Sequence, residues 1–146
     1  MEIVRAQLGD LEAVSRLFDQ YRVFYQQPSN LEAAIAFLQE RFQKNDSVIF
    51  LARNQEQSVG FTQLYPSFSS VSMRRVWILN DLFVEQSHRQ QGIAKRLIDT
   101  AESFARETGA VRIALSTQIS NATAQTLYES RGYVRDESFY HYSLSL

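Results

Sequence analysis

The sequence predicts an α/β fold in which a mixed β-sheet carries helices on both faces, with the element order βααβββαβαβ. Short apolar runs typical of strands alternate with segments whose apolar residues recur every three or four positions. No linker, repeat or low-complexity block interrupts this alternation. A chain of 146 residues suits one domain with a sizeable core, so we expect a single domain over residues 1–146.

The first half of the chain predicts two helices enclosed by strands. Its elements are, in order, a strand at residues 2–6, a helix from residue 11, a second helix from residue 31, hairpin strands at residues 48–53 and 58–65, and a loop at residues 66–70. Asp10 is placed to cap the first helix. Ser29 and Glu32 have the spacing of a capping box for the second helix.

The second half predicts alternating strands and helices. Its elements are a long strand at residues 73–84, a turn, a helix from residue 93, a strand at residues 111–115, a helix after residue 121 and a closing strand at residues 139–144. Gly109 and Gly132 are placed to end the two helices.

Composition excludes several classes of protein. The chain has 15 basic and 16 acidic residues with a net charge of −1, so it has no overall field for capturing nucleic acid or an anionic membrane. It has no cysteine, which excludes disulfides, a thiolate nucleophile and cysteine-ligated zinc. The first residues lack a long apolar stretch, so we expect neither a signal peptide nor a membrane span, and a cytoplasmic location.

The turn between the long strand and the third helix is suited to binding phosphate. The first N–H groups of a helix have no partner inside the helix, and the helix dipole adds partial positive charge there. Gly92 has no Cβ to obstruct a ligand, and Arg89 and Lys95 place positive charge on either side. Taken alone, the turn is equally well explained by close packing of small residues.

A second motif further along the chain makes the first one specific. Arg89, Gly92 and Ala94 match the pattern Arg/Gln-x-x-Gly-x-Gly/Ala. The longer pattern Asn-x-x-Ala-x-x-Leu-Tyr-x-x-x-Gly-Phe/Tyr is matched at Asn121, Ala124, Leu127, Tyr128, Gly132 and Tyr133. With both motifs in this order, the chain resembles the GNAT superfamily of acyl-CoA-dependent N-acetyltransferases. The resemblance is strong over residues 76–133 and rests on element order before them.

The resemblance implies acetyl-CoA as cosubstrate, no metal, and direct acetyl transfer to a primary amine in a ternary complex. The diphosphate would lie on backbone N–H groups of the turn, and the pantetheine arm would pair with the preceding strand. The residues implied as cofactor-binding are Leu82, Phe83, Val84, Arg89, Gln90, Gln91, Gly92, Ile93, Ala94, Lys95, Asn121 and Ala124. Asn121 is also a good N-cap, and the two roles compete for its side chain.

The resemblance also implies a general acid. Tyr128 matches the position that donates a proton to the CoA sulfur, and a phenol holds a labile proton at neutral pH. The alternative is a buried helix tyrosine whose hydroxyl binds a backbone carbonyl.

The general base is open. The family often has Glu-Asp on the strand before the turn, where this chain has Asn80-Asp81, and an asparagine cannot accept a proton at neutral pH. The base is therefore Asp81 or Glu85, or the proton leaves through ordered water. Asp81 is otherwise a structural partner of Arg74, Arg75 or a hydroxyl. Strand alternation puts Asn80 and Asp81 on opposite faces, unless a bulge alters the alternation.

The acceptor is implied only as a class. We expect a small-molecule or peptide amine, with Tyr21, Phe24, Tyr25 and Tyr65 as candidates to line its pocket, and a homodimer because members of the family often dimerise. A non-catalytic acyl-CoA-binding sensor or interaction module of the same fold is the alternative function.

Overall fold

The computed structural model describes residues 1–146 in two compact units, residues 1–115 and residues 116–146. The elements of the first unit are β1 (Glu2–Arg5), α1 (Leu11–Phe24), α2 (Leu31–Lys44), β2 (Val48–Asn54), β3 (Gln57–Ser69), β4 (Arg74–Val84), α3 (Ile93–Glu107) and β5 (Arg112–Ala114). The helix of the second unit is α4 (Ala122–Ser130). None of the helices combines the length and apolar composition that crossing a membrane requires.

The strands form one mixed sheet in the order β1-β2-β3-β4-β5. The first three pairs are antiparallel, and β5 lies parallel to β4. This confirms the predicted α/β class with a mixed sheet. A parallel neighbour is reached because α3 forms the crossover between β4 and β5.

Helices cover both faces of this sheet, as predicted. Leu17 of α1 and Leu38 of α2 pack against alternate residues of the central strands, including Phe61 of β3. On the opposite face, Leu97 of α3 packs in a second apolar cluster with Leu64. Successive strand residues point to opposite faces, so the continuous apolar run of β2 serves both clusters.

The two predicted N-caps of the first unit were wrong. Asn30 caps α2 by accepting the N–H of Ala33 at 3.1 Å, whereas Ser29 donates its hydroxyl to Asp19 at 2.6 Å. Asp10 precedes α1, but its carboxylate accepts the N–H of Gln7 at 2.9 Å and pairs with Arg53. Each side chain found a stronger tertiary or local partner than the cap that its position offered.

The second unit confirms the predicted cap and stop of α4. Asn121 accepts the N–H of Ala124 at 3.1 Å, and the left-handed Gly132, with φ of +92°, follows the last turn. The rings of Tyr128 and Tyr133 lie edge to face, with their centroids 5.7 Å apart.

The predicted closing strand over residues 139–144 is wrong. No strand is formed after β5. Asp136 instead accepts the N–H groups of Ser138 at 2.8 Å and Phe139 at 3.1 Å, and His141 lies 3.2 Å from its carboxylate. A local turn around an aspartate competes with strand pairing for the same backbone groups. The side chain of His141 is 83% exposed.

Candidate active site

A β-bulge in the middle of β4 sets the geometry of the site. Gln63 of β3 is opposite Asp81, while the next residue, Leu64, is opposite Leu79, so Asn80 is an extra residue with no partner. A bulge of this kind reverses the alternation of the strand beyond it. Leu79 and Leu82 therefore both pack on the α3 face, although residues three positions apart lie on opposite faces of a regular strand.

The bulge turns Asp81 toward the face that α1 and α2 cover. Asp81 shares that face with Phe83, which belongs to the α1 cluster. Asn80 is exposed, and its amide donates to the Asp81 carboxylate at 3.1 Å. The sequence left open which of the two residues faces the interior, and the bulge places Asp81 there.

The carboxylate of Asp81 is buried, with 3% of the residue exposed, and is held by hydrogen bonds rather than by a cation. Gln63 donates its amide at 2.7 Å. The hydroxyl of Tyr21 lies 3.4 Å from the carbonyl oxygen of Asn80 and also stabilises the carboxylate. Burial raises the pKa of Asp81 above its ordinary value, and these hydrogen bonds oppose the rise.

The predicted arginine partners of Asp81 were wrong. Arg74 donates to the carbonyls of Gly109 at 3.2 Å and Ala110 at 3.4 Å, at the end of α3. Arg75 stacks on the rings of Phe68 and Trp77. Both lie at the start of β4, so their side chains are used at the opposite end of the strand from Asp81.

Sequence reasoning missed Gln63. It is fully buried, and its Oε1 atom has no hydrogen-bond partner, while its amide nitrogen supports Asp81. The sequence did contain a signal, because Gln63 lies two positions after Phe61 in an apolar strand and therefore on the same face. A buried amide at such a position needs a polar partner.

The aromatic side chains that were candidates to line an acceptor pocket lie near one another, and Tyr21 reaches the Asp81 position. The ring of Tyr21 lies 4.9 Å from that of Tyr25 and 6.3 Å from that of Phe83, measured between centroids. Phe24 extends the group, 5.2 Å from Tyr25. Burial, and next the charge of Asp81, raise the pKa of Tyr65 to about 12, so its phenol stays protonated.

Glu85 is committed to other partners. Its carboxylate pairs with Arg16 and lies 3.7 Å from His88. Arg16 in turn donates to the carbonyl of Ser58 at 2.7 Å. These contacts connect α1, the end of β4 and the start of β3, which is a structural role.

The turn before α3 leaves its backbone donors available. Gly92 adopts the left-handed conformation with φ of +78°, and Gln90 does so with φ of +62°. No side chain caps α3, and the N–H of Arg96 makes the first bond into the helix, to Gly92 at 3.2 Å. The N–H groups of residues 93–95 come before that bond and form the positive end of the helix dipole.

Arg89 is directed away from those donors. Its Nε donates to the carbonyl of Val84 at 2.9 Å, and its guanidinium stacks on Phe24 at 5.3 Å and Phe83 at 5.6 Å. Arg89 was expected to supply positive charge on one side of the turn, and it instead holds the turn against β4. Lys95, on the other side, is exposed.

One edge of β4 is open beside this turn. β5 pairs with β4 only at Val76, Trp77 and Ile78. The N–H of Glu85 donates to Val59 at 2.9 Å, on the β3 side. Backbone groups of alternate residues point the same way, so those of Phe83 face β3 and those of Leu82 and Val84 face the open edge.

The remaining predicted residues lie together on α4, in the second unit. Tyr128 is buried, with 9% of the residue exposed. Asn121 caps the helix with Oδ1, which leaves the two donors of Nδ2 for another partner. Capping and cofactor contact therefore do not compete for one atom. Ala124 supplies the capped N–H.

Comparisons with known proteins show which family and fold the chain is similar to. The model of the acetyltransferase (GNAT) family matches residues 11–133, which span parts of both units. The chain is 46% identical over 146 residues to the "Uncharacterized N-acetyltransferase YhfO" of Bacillus subtilis (strain 168), covering 100% of this chain and 98% of that protein.

Solved structures are similar over the whole chain. One described as a "probable acetyltransferase" has a TM-score of 0.95 and 45% identity, covering 100% of this chain and 98% of the other. An aminoglycoside N-acetyltransferase in complex with CoA has a TM-score of 0.82 at 23% identity, covering 99% and 95%, and therefore supports the fold alone.

Proposed function

Because this chain belongs to the GNAT family of acetyltransferases, we propose that it transfers an acetyl group from acetyl-CoA directly to a primary amine in a ternary complex. The single observation that carries the proposal is the bulge at Asn80, with the open edge of β4 next to the uncapped start of α3. The bulge provides a buried carboxylate, the open edge provides extended backbone groups, and the start of α3 provides donors for an anion.

The diphosphate of the cosubstrate fits the start of α3. The N–H groups from Gln90 to Lys95 supply donors, with Gln91, Ile93 and Ala94 between them, and the helix dipole favours negative charge there. A Cβ at Gly92 would meet no atom of the chain within 4 Å, so the space in front of the turn is open to a ligand. Arg89 acts by holding the turn against β4.

The pantetheine arm fits the open edge of β4. Its amides would pair with the backbone groups of Leu82 and Val84, as an added strand would. Arg89 already donates to the carbonyl of Val84, which leaves the Val84 N–H and both groups of Leu82. Phe83 contributes its ring, because its backbone faces β3. The Nδ2 donors of Asn121 are suited to a pantetheine carbonyl, next to Ala124.

Asp81 is the base that the geometry supports best. The neutral amine attacks the thioester carbonyl carbon, so that a C–N bond forms and the C–S bond breaks. The amine proton passes to Asp81, whose raised pKa makes its carboxylate a stronger base than an exposed one. Glu85 is disfavoured for this role because its carboxylate is paired with Arg16.

Tyr128 completes the proposal as general acid. Its phenol protonates the departing CoA thiolate, so the charges balance without a covalent intermediate on the protein. A cytoplasmic location, a single domain and a homodimer are retained as predictions. The acceptor is proposed as a small-molecule or peptide amine.

A thiol-release assay with acetyl-CoA across a panel of amines tests the proposal. We expect Asp81→Asn to lower kcat by roughly 10²–10⁴-fold and Tyr128→Phe to lower kcat with CoA affinity retained. Glu85→Gln is the matched carboxylate control and should lose thermal stability rather than turnover. CoA binding without turnover on any amine would support the non-catalytic module. Undiminished turnover of Tyr128→Phe would exclude Tyr128 as the general acid.

A further inference from the structure

A continuous row of aromatic rings crosses α1 and α2 beside the proposed base. From α2 to the end of α1, the members of this aromatic row are Phe37, Phe18, Tyr21, Tyr25 and Phe24. Successive ring centroids are 5.6, 6.3, 4.9 and 5.2 Å apart. The two end rings reach solvent, since Phe24 is 49% exposed and Phe37 is 39% exposed. The row therefore leads from the apolar core out to the surface.

The middle of the aromatic row reaches Asp81. The hydroxyl of Tyr21 forms a hydrogen bond to the Asp81 carboxylate. The ring of Tyr21 also lies 6.3 Å from that of Phe83, which shares a face of β4 with Asp81. A body placed against Tyr21 and Tyr25 is therefore separated from the carboxylate by about the length of one phenol. An amine joined to a ring by two carbons spans a comparable length.

The acidic groups near the row provide for a single ammonium group. The carboxylate of Asp81 is held by hydrogen bonds and has no cation beside it. Asp19, on α1, accepts the hydroxyl of Ser29 at 2.6 Å. Glu85, at the end of β4, is paired with Arg16. Only Asp81 among these three carboxylates is therefore available to an amine.

An arginine lies on the ring at each end of the aromatic row. The guanidinium of Arg89 is 5.3 Å from the centroid of Phe24, and that of Arg41 is 4.9 Å from the centroid of Phe37. Arg41 is paired with neighbouring carboxylates, whereas Arg89 has no carboxylate partner. A second ammonium group that extended from Asp81 toward Phe24 would meet the charge of Arg89, and like charges repel. An acceptor with several amines is therefore disfavoured.

We propose that the acceptor is a small aromatic monoamine, with its amine at Asp81 and its ring against Tyr25 and Phe24. This acceptor class rests on the proposed function, because acetyl transfer defines the acceptor. An aromatic body covers the exposed part of Phe24 and gains ring–ring contacts that an alkyl body lacks. A neutral ring is also compatible with Arg89, since a guanidinium stacks favourably on aromatic faces.

Three amines test the acceptor class in the thiol-release assay. The first is 2-phenylethylamine, the second is n-butylamine, which has an alkyl chain in place of the ring, and the third is spermidine, which carries several ammonium groups. We expect kcat/KM for 2-phenylethylamine to exceed that of either other amine at least about tenfold. Saturation-transfer NMR of 2-phenylethylamine with the CoA-bound protein measures the contact of its ring protons without turnover.

Phe24→Leu keeps an apolar side chain and removes the ring. The ratio of kcat/KM for 2-phenylethylamine to that for n-butylamine should fall about two- to tenfold, and this ratio cancels any effect on acetyl-CoA that both amines share. Phe68→Leu is the matched control, because Phe68 is 71% exposed, carries Arg75 at 5.0 Å and lies outside the row. Its ratio should equal that of the wild type. Tyr25→Leu repeats the test if Phe24→Leu does not fold.

The possible outcomes separate the acceptor class from the reaction itself. Equal kcat/KM for 2-phenylethylamine and n-butylamine, a preference for spermidine, or an equal fall of the ratio in Phe68→Leu would overturn the acceptor class and leave acetyl transfer in place. Thiol release with no amine, from a protein that binds CoA, would contradict the proposed function and the acceptor class together. Arg89→Gln should raise kcat/KM for spermidine relative to n-butylamine, and an unchanged ratio would contradict the exclusion of polyamines.

Discussion

Replacing Gly92 by alanine separates the backbone requirement of the turn from its role in binding. Gly92 has φ of +78°, and a Cβ there would meet nothing within 4 Å, so the cost of alanine comes from the left-handed backbone alone. That cost is about 1–2 kcal/mol. For a chain of this length it corresponds to a fall of roughly 3–6 °C in Tm.

Gly109 provides the matched control. It has φ of +76° and no atom within 4 Å of an added Cβ, and it follows the other end of α3. Gly109→Ala should therefore lose about as much stability as Gly92→Ala, without disturbing the donors of the turn.

Only the binding of CoA should distinguish the two variants. In Gly92→Ala the backbone relaxes away from the left-handed region, which misaligns the N–H groups of residues 93–95. We expect CoA affinity, measured by calorimetry, to fall at least about tenfold, the value of one charge-assisted hydrogen bond. Differential scanning calorimetry gives the two Tm values. Equal CoA affinities in both variants would refute the assignment of the diphosphate to this turn.

Three further predictions concern the polar groups of the site. Asp81→Asn should be more stable than the wild type at neutral pH, because the raised pKa of Asp81 means that its buried charge opposes folding. This difference in stability should shrink as the pH falls through the pKa of Asp81 in the folded state, and it should vanish below the pKa in the unfolded state. Thermal melts of both proteins as a function of pH measure the difference. Gln63→Leu removes a donor that lowers the pKa of Asp81, so the acid limb of kcat/KM should move to higher pH, while Thr62→Val, which loses only a bond to the Asp81 carbonyl, should leave that limb in place. Asn121→Ser should keep the cap of α4 and hence the Tm, but lose the Nδ2 donors and weaken CoA about tenfold, whereas unchanged affinity would restrict Asn121 to capping.

Local chemistry made much of the fold predictable. The apolar spacing from Ile93 to Ala105 forms α3, and Gly109 and Gly132, which follow α3 and α4, both have positive φ. The caps of α1 and α2 were predicted wrongly, because Asp10 and Ser29 bind Arg53 and Asp19, which are distant in sequence. The aromatic alternation near the C-terminus predicted a strand, but a strand also needs a paired neighbour, and residues 139–144 have none.

The site shows the same division. The sequence by itself determined the strand–turn–helix with its free helix-start donors and the membership of the family, because these depend on residue types at short spacings. Only the tertiary structure decided that Asp81 and not Asn80 faces the interior, and that Gln63 donates a hydrogen bond to the Asp81 carboxylate. It also decided that Arg16 forms an ion pair with Glu85, and that Arg89 binds the Val84 carbonyl and so holds the turn against β4. A bulge changes which face every later side chain occupies, and a charge pairs with whichever partner folding brings within reach, so neither is encoded in neighbouring residues.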